Sequence, residues 1–337
     1  MKVLYVTDIH DDVRSLRSIV SRRQADLLLL SGDLIYKAFF TEDKLYSFLE
    51  VQETLYSYLR QVSRTDTPYE LTLEILRCPG DYSEDLVEIA KDYRILFQKA
   101  ALNMKAKYFT MRSVLQKYAE APFLLIPGNY DMDLQYTPLY EYDMHKKNYY
   151  MDDIHIGGYG GAPIITPGIP EMLSVAFNEH QDEGKLFSEP KSFFEQEQPD
   201  ILMIHNPAYG TLDKIPQYGR CGSMGIREYI DDYSPAIVLS GHVHEDYGLV
   251  RIGESFCLNP SNFGGVDSMS GYEAGGFFAE CEIEKIKDKV FLKQVDLLRI
   301  MNNEFHHIAT VKIDRNFRAS EEIYDEVEFS KLGYFLK

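Results

Sequence analysis

Short, predominantly apolar runs, each ending in a polar, glycine-containing turn, recur along the chain at residues 3–6, 26–30, 123–126, 201–204 and 236–239. Unbroken rather than alternating hydrophobicity marks strands covered on both faces, so the pattern predicts a layered α/β fold. Between residues 37 and 120 the period changes to that of helices. Leu45, Phe48, Leu49, Leu55, Leu59 and Val62 keep helical spacing behind Thr41, with Glu42 and Asp43 suited to the positive start of a helix. A second pattern opens at Ser83 and runs through Leu86, Ile89, Tyr93, Leu96, Phe97, Ala100, Met104, Met111 and Leu115 to Tyr118. Two long helices are therefore expected in an insertion over 37–120. The second exceeds the ~25 residues usual for a globular helix, which suits an antiparallel pair packed on its own domain, or a cap or dimerisation arm. After Gly275 the alternation of strands returns, over 277–283 and 290–298, around the charged turn 284–289. The reading is one domain over 1–297, interrupted by the insertion, with a C-terminal extension over 298–337.

Composition narrows the class. With 337 residues, 45% of them hydrophobic, the chain can bury a full core. Acidic residues outnumber basic ones 53 to 35, and a net charge of −18 is the wrong sign for holding nucleic acid through its phosphates. Cys78, Cys221, Cys257 and Cys281 lie far apart, the chain starts on a strand-like pattern rather than a signal-peptide core, and no apolar run approaches the ~18 residues of a membrane span. A reduced, cytoplasmic protein with no membrane segment is expected.

Candidate chemistry sits just beyond the apolar runs: Asp8 and His10, then Asp33, Asn129, His205, and finally His242 and His244. In layered α/β folds the loops past the strand carboxyl ends are where ligands collect. Asp8-Ile9-His10 sets a carboxylate and an imidazole two positions apart. Ser31-Gly32-Asp33 adds a carboxylate whose two oxygens can bridge two cations. Gly128-Asn129-Tyr130-Asp131 supplies a side-chain amide oxygen, in a pattern that is also ordinary turn chemistry. Gly241-His242-Val243-His244 places two of the nine histidines at i, i+2 after a strand, a metal-ligand signal.

The ordered series Asp-x-His, Gly-Asp, Gly-Asn, His, Gly-His-x-His, spread over about residues 1–265, resembles the calcineurin-like metallophosphoesterases. The segment from His205 through Tyr209-Gly210-Thr211-Leu212-Asp213 and Gly222-Ser223 to Asn259-Pro260 looks more specifically like a prokaryotic phosphodiesterase-like or phosphohydrolase branch. The resemblance implies an α/β/β/α sandwich with Asp8, His10, Asp33 and His244 around one metal and Asp33, Asn129, His205 and His242 around a second. It also implies Asp33, Tyr130 and Asp131 as catalytic residues. Nitrogen and oxygen donors without thiolate suit manganese, iron, zinc, cobalt or nickel. The implied activity is hydrolysis of a small phosphodiester or phosphomonoester by in-line attack of a hydroxide between two cations. The alternative is a catalytically weak or silent member serving as a binding scaffold, and the insertion offers a route to a homo-oligomer.

Three positions depart from that pattern or leave it open. Tyr130 stands where the family has a histidine that protonates the leaving oxygen, and a phenol with a pKa of ~10 is a weaker acid at neutral pH. Good leaving groups, or another donor among Tyr130, Asp11 and His155, are expected to compensate. Ser223 opens a helix running to Tyr233, either as a plain cap or as part of an anion cradle. Ser261 replaces the glycine of the turn Asn259-Pro260-Ser261-Asn262.

Overall fold

The computed structural model describes residues 1–164, 166–216, 218–268, 271–324 and 335–337. The first sheet begins with three parallel strands, β1 (Lys2–Val6), β2 (Leu27–Ser31) and β3 (Phe123–Ile126), each an unbroken apolar run. Their side chains alternate between two cores. Leu4, Val6, Leu28 and Leu30 face a helical layer, while Val3, Tyr5, Leu27 and Leu29 face the second sheet. Burial on both faces is why the hydrophobicity does not alternate.

Helix α1 (Val13–Arg22) connects β1 to β2, capped by Asp12, whose side chain accepts from the Ser15 N–H. The insertion follows β2 as α2 (Glu42–Gln61), α3 (Pro68–Arg77) and α4 (Glu84–Tyr118). Both long helices start where the pattern put them, with Ser83 capping α4. The shorter α3 was not foreseen, although Thr67 and Glu70 form a capping box ahead of it. The 35-residue α4 buries Leu86, Ala90, Tyr93, Leu96, Ala100, Met104, Tyr108, Met111 and Leu115 in the same core as Leu4 and Leu28. The insertion thus packs on its own domain as the outer helical layer.

The second sheet, in the order β8-β9-β7-β6-β5-β4, is built from β4 (Lys147–Met151), β5 (Ile154–Tyr159), β6 (Ile201–Ile204), β7 (Ile237–Leu239), β8 (Gly248–Ile252) and β9 (Ser255–Asn259). Strands β5, β6, β7 and β9 run parallel. Ile201 and Met203 point into the core between the sheets. Leu202 and Ile204 point the other way, onto Phe194 of α5 (Glu189–Glu197) and Ile226, Tyr229 and Ile230 of α6 (Met224–Tyr233). The layers are helix, sheet, sheet, helix.

The C-terminal part completes the first sheet. Strand β10 (Phe277–Ile286) lies antiparallel to β1, and β11 (Lys289–Met301), β12 (Glu304–Ile313) and β13 (Ala319–Ile323) follow as successive antiparallel neighbours. The boundary expected at 297/298 falls inside β11. Ile308, Ala309 and Val311 bury in the core between the sheets, so 304–323 continues the sandwich. Among the described residues no helix is long and apolar enough to cross a membrane.

Candidate metal centre

Five parallel strands from the two sheets end at one place, and the backbone there is strained. Asp8, His10, Asp11, Asp33 and His242 all have positive φ, from 45° to 68°, a region that few residues other than glycine occupy and where aspartate and histidine are among the better tolerated. The loops interlock so closely that two glycines are required. A Cβ on Gly32 would strike His205 and Gly128, and one on Gly241 would strike Thr7 and Asp8.

Two groups of donors result. In the first, His244 Nε2 lies 3.2 Å from Asp8 Oδ1 and 3.3 Å from His10 Nε2, and His10 Nε2 lies 3.8 Å from Asp8 Oδ1. In the second, His205 Nε2 lies 3.4 Å from Asp33 Oδ1 and 3.1 Å from Asn129 Oδ1, with the His242 ring packed edge-on against His205. Asp8, His10 and His244 offer donor atoms all within 4.8 Å of one another, and so do Asp33, His205 and His242. All seven sequence-predicted ligands therefore meet in one cluster.

Neighbouring groups aim these donors. Asn129 Nδ2 donates to Thr166 Oγ1, which turns the amide oxygen toward His205. His205 Nδ1–H donates to the Ser31 carbonyl, which points Nε2 at the Asp33 and Asn129 oxygens. Asp8 accepts from the His242 backbone N–H and the Thr7 hydroxyl, and Glu273 stands 3.5 Å from His244 Nδ1. Thr166 and Glu273 have no counterpart in the sequence motifs; the first comes from a loop and the second from the short strand Gly271–Glu273.

Protons settle the cluster unevenly. Burial pushes His10 and His242 down to about 4, so both rings stay neutral with free lone pairs. Burial would also lower His205 and His244, but the carboxylates beside them hold the first up at about 9 and the second at about 10. Burial works to raise Asp8 and Asp33, yet the adjacent histidines hold both below the ordinary carboxylate range. His242 Nε2 and His10 Nδ1 are buried without any hydrogen-bond partner. Crowded lone pairs, two carboxylates and orphaned imidazole nitrogens fit a pair of divalent cations, for which histidine nitrogen and carboxylate oxygen are ordinary donors.

The expected catalytic residues separate. Asp33 and Tyr130 line a cavity of 560 Å³ above the cluster. Asp131, expected beside them, is instead fully buried below. Its carboxylate accepts from the backbone N–H groups of Leu34, Ile35 and Gly128 and from the Tyr108 hydroxyl, so it braces the Asp33 and Asn129 loops and cannot reach a substrate. Burial and the charge of Asp33 push it up to about 7. The alternative donors are also spent elsewhere. Asp11 accepts from Lys107 at 2.5 Å and from the Tyr36 N–H, and His155 pairs with Asn148 and stacks on Tyr150 along β4 and β5.

The helix start at Ser223 is a cap and not a cradle. Ser223 Oγ accepts from the Ile226 N–H, and the Glu179 carboxylate already takes the Met224 and Gly225 N–H groups. Ser261 adopts the left-handed φ of 79° that a glycine would supply, and its hydroxyl donates to the His244 carbonyl at 2.8 Å.

The sequence model described as calcineurin-like phosphoesterase matches residues 1–246. An uncharacterised protein of Methanocaldococcus jannaschii, MJ1162, is 27% identical over 162 residues, 44% of this chain and 69% of that protein. One solved structure superposes with a TM-score of 0.52 at 15% identity, covering 87% of this chain and 98% of that one, which shows a shared fold. TT1561 of Thermus thermophilus aligns at a TM-score of 0.39 and 13% identity over 91% of this chain and 97% of that one. Zinc-complexed Vps29 of Entamoeba histolytica aligns at 0.37 and 10% over 96% of this chain and 100% of that one.

Proposed function

The chain belongs to the calcineurin-like phosphoesterase family, and from that premise we propose that it is a dimetal phosphoester hydrolase. Asp8, His10, Asp33 and His244 would hold one divalent cation, and Asp33, Asn129, His205 and His242 would hold the other. The observation that carries this reading is the convergence of seven side chains, from strand-end loops of both sheets, into two groups of close-set donors on strained backbone. When bound, two such cations lower the pKa of water and offset the charge that builds on the phosphoryl oxygens.

The remaining work falls to the chain itself. Asp33, whose carboxylate has two oxygens and lies 3.4 Å from His205 Nε2, would be the ligand shared between the two cations. Its Oδ1 accepts the Tyr130 N–H at 2.9 Å, which ties the third motif to the second. Tyr130 walls the cavity edge-on to His10, and burial followed by the charge of Asp33 pushes its phenol above the ordinary value. It therefore keeps its proton, and hydrolysis favours esters whose leaving oxygen needs little help.

The reading is tested by elemental analysis of protein supplied in turn with manganese, iron, zinc, cobalt and nickel, followed by assays on p-nitrophenyl phosphate and bis-p-nitrophenyl phosphate. About two ions per chain and hydrolysis of at least one ester are expected, and Asp33→Asn abolishes both. Two bound ions with no hydrolysis of either ester would favour the silent scaffold.

The proposal extends to self-association through α4. Ile95, Leu102 and Phe109, 62–69% exposed, recur every seven residues on the side opposite the buried face. Set antiparallel about Leu102, a second copy brings Ile95 against Phe109. It also brings Glu88, fourteen residues before Leu102, against Lys117, fifteen after it, on the same flank of the stripe.

A further inference from the structure

The cavity above the metal cluster is larger than one phosphoryl group needs. Its 560 Å³ falls in the range of sites that enclose a whole small molecule. His10, Asp33, Asn129, His242 and His244 form its floor, and Tyr130, Ile164, Pro167, Ile215, Tyr218 and Val266 form its walls. Thr166, whose hydroxyl is taken up by Asn129, and Cys221 complete the lining, so the walls are predominantly aliphatic or aromatic, and among the described lining residues none is a lysine or an arginine.

Three cations near the cavity are already paired, and a fourth, Lys214, is exposed beside the wall residue Ile215 but does not line the cavity. Lys107 is bound by Asp11, Lys37 by Glu42, and Arg220 by Asp213. The charged side chains at the mouth are acids, Glu245 and Asp267, both exposed and neither with an ionic partner among the described residues. Away from the floor, then, a ligand meets apolar surface and negative charge.

A phosphomonoester carries close to two negative charges near neutral pH, since its second pKa is about 6, whereas a phosphodiester carries one. The second charge must be met by a site whose only positive charge is at its floor and whose mouth repels it. A diester in its place presents an uncharged substituent, which the walls desolvate favourably. We infer that this cavity selects phosphodiesters bearing one negative charge and an apolar, aromatic arm, and disfavours phosphomonoester dianions. This rests on the hydrolase reading above and adds its substrate class, with Glu245, Asp267, Ile215 and Tyr218 as specificity determinants.

The test uses the full chain loaded with whichever metal the activity panel selects. Bis-p-nitrophenyl phosphate and p-nitrophenyl phosphate share a leaving group, so the weakness of Tyr130 as an acid bears on both alike. Expected is a kcat/KM for the diester at least about tenfold above that for the monoester. Binding is read separately by calorimetry with two analogues that cannot be hydrolysed: diphenylphosphinate, a monoanion with two aryl arms, and phenylphosphonate at mildly alkaline pH, a dianion with one. The phosphinate is expected to bind about tenfold tighter despite its smaller charge. Combining Glu245→Gln with Asp267→Asn narrows the gap by raising the monoester, and Ile215→Asp weakens the phosphinate while metal content stays at wild type. Hydrolysis that favours the monoester, or tighter binding of the phosphonate, overturns the selectivity and leaves the hydrolase reading intact. No hydrolysis of either ester with any metal removes that reading, and the substrate class with it.

Discussion

Glu280, 4% exposed on β10, lies between Lys2 at 2.7 Å and Arg23 at 2.5 Å. Burial raises its carboxyl, but hydrogen bonds from Arg23 and Lys2 outweigh this and hold it below the ordinary glutamate value. A depressed carboxylate stabilises the fold fully above its unfolded pKa of ~4.3, and the contribution is lost as pH falls through the lower folded value. Glu280→Gln should therefore destabilise by about 2 kcal/mol in denaturant titrations at neutral pH, discounted from the buried-pair range because both cations are partly exposed. The difference from wild type should shrink in strong acid. Tyr130 belongs to the same scale. Replacing it with histidine restores a better acid, and the dependence of rate on leaving-group pKa across aryl and alkyl esters should flatten, with poor leaving groups gaining up to ~10². An unchanged slope would show that Tyr130 only shapes the wall. The ligands themselves were legible because each sits one to five residues past a strand end, in motifs as short as Gly-His-Val-His. Thr166 and Glu273, which aim Asn129 and His244, were not, because nothing in their own neighbourhoods marks them as partners of those residues.

At the scale of elements, α4 joins the insertion to the chemistry through two adjacent side chains. Lys107 reaches Asp11 and the Lys37 carbonyl, while the Tyr108 hydroxyl donates to Asp131 at 2.9 Å and accepts the Met132 N–H at 2.8 Å. One helical turn thereby braces both the first-motif and third-motif loops. Tyr108→Phe leaves a buried N–H without its acceptor and should destabilise by ~1–3 kcal/mol in equilibrium unfolding. It should also weaken metal retention on dialysis more than Leu115→Ala, a core truncation elsewhere on α4 that touches neither loop. Equal retention in the two variants would reduce the insertion to packing. The helix start at Thr41 was readable from Glu42 and Asp43 behind it, and that at Ser83 from where the helical spacing opens; only Ser83 caps its helix through the side chain. The link from α4 to Asp11 and Asp131 was not, since the same apolar spacing describes a helix pair packed anywhere on the domain.

For the whole molecule, metal and association are the two tests. Ions that bind only the folded chain stabilise it by about 2.7 kcal/mol at a hundredfold excess over Kd, so chelator treatment should lower Tm by several degrees and re-addition should restore it. A chelated protein that melts at the same temperature would leave the seven donors without their proposed occupants. Self-association through α4 predicts a dimer in sedimentation equilibrium that Leu102→Glu converts to monomer. Exchanging charges through Glu88→Lys and Lys117→Glu together should preserve the dimer, while either change alone weakens it; a wild-type monomer at high concentration would exclude the interface.

The sequence by itself determined a layered α/β fold, the five strands that end at the site and the candidate donors beyond them, because unbroken apolar runs and the polar residues at their ends are local properties of the chain; the sandwich and the two ligand sets were what the family resemblance implied. Tertiary structure alone decided that Asp131 lies beneath the site and not in it, that Glu179 fills the start of α6, that β12 and β13 continue the first sheet, and that α4 clamps the metal loops. These outcomes depend on contacts between segments tens to hundreds of residues apart. Such contacts are chosen by packing of the whole core, for which spacing along the chain carries no signal.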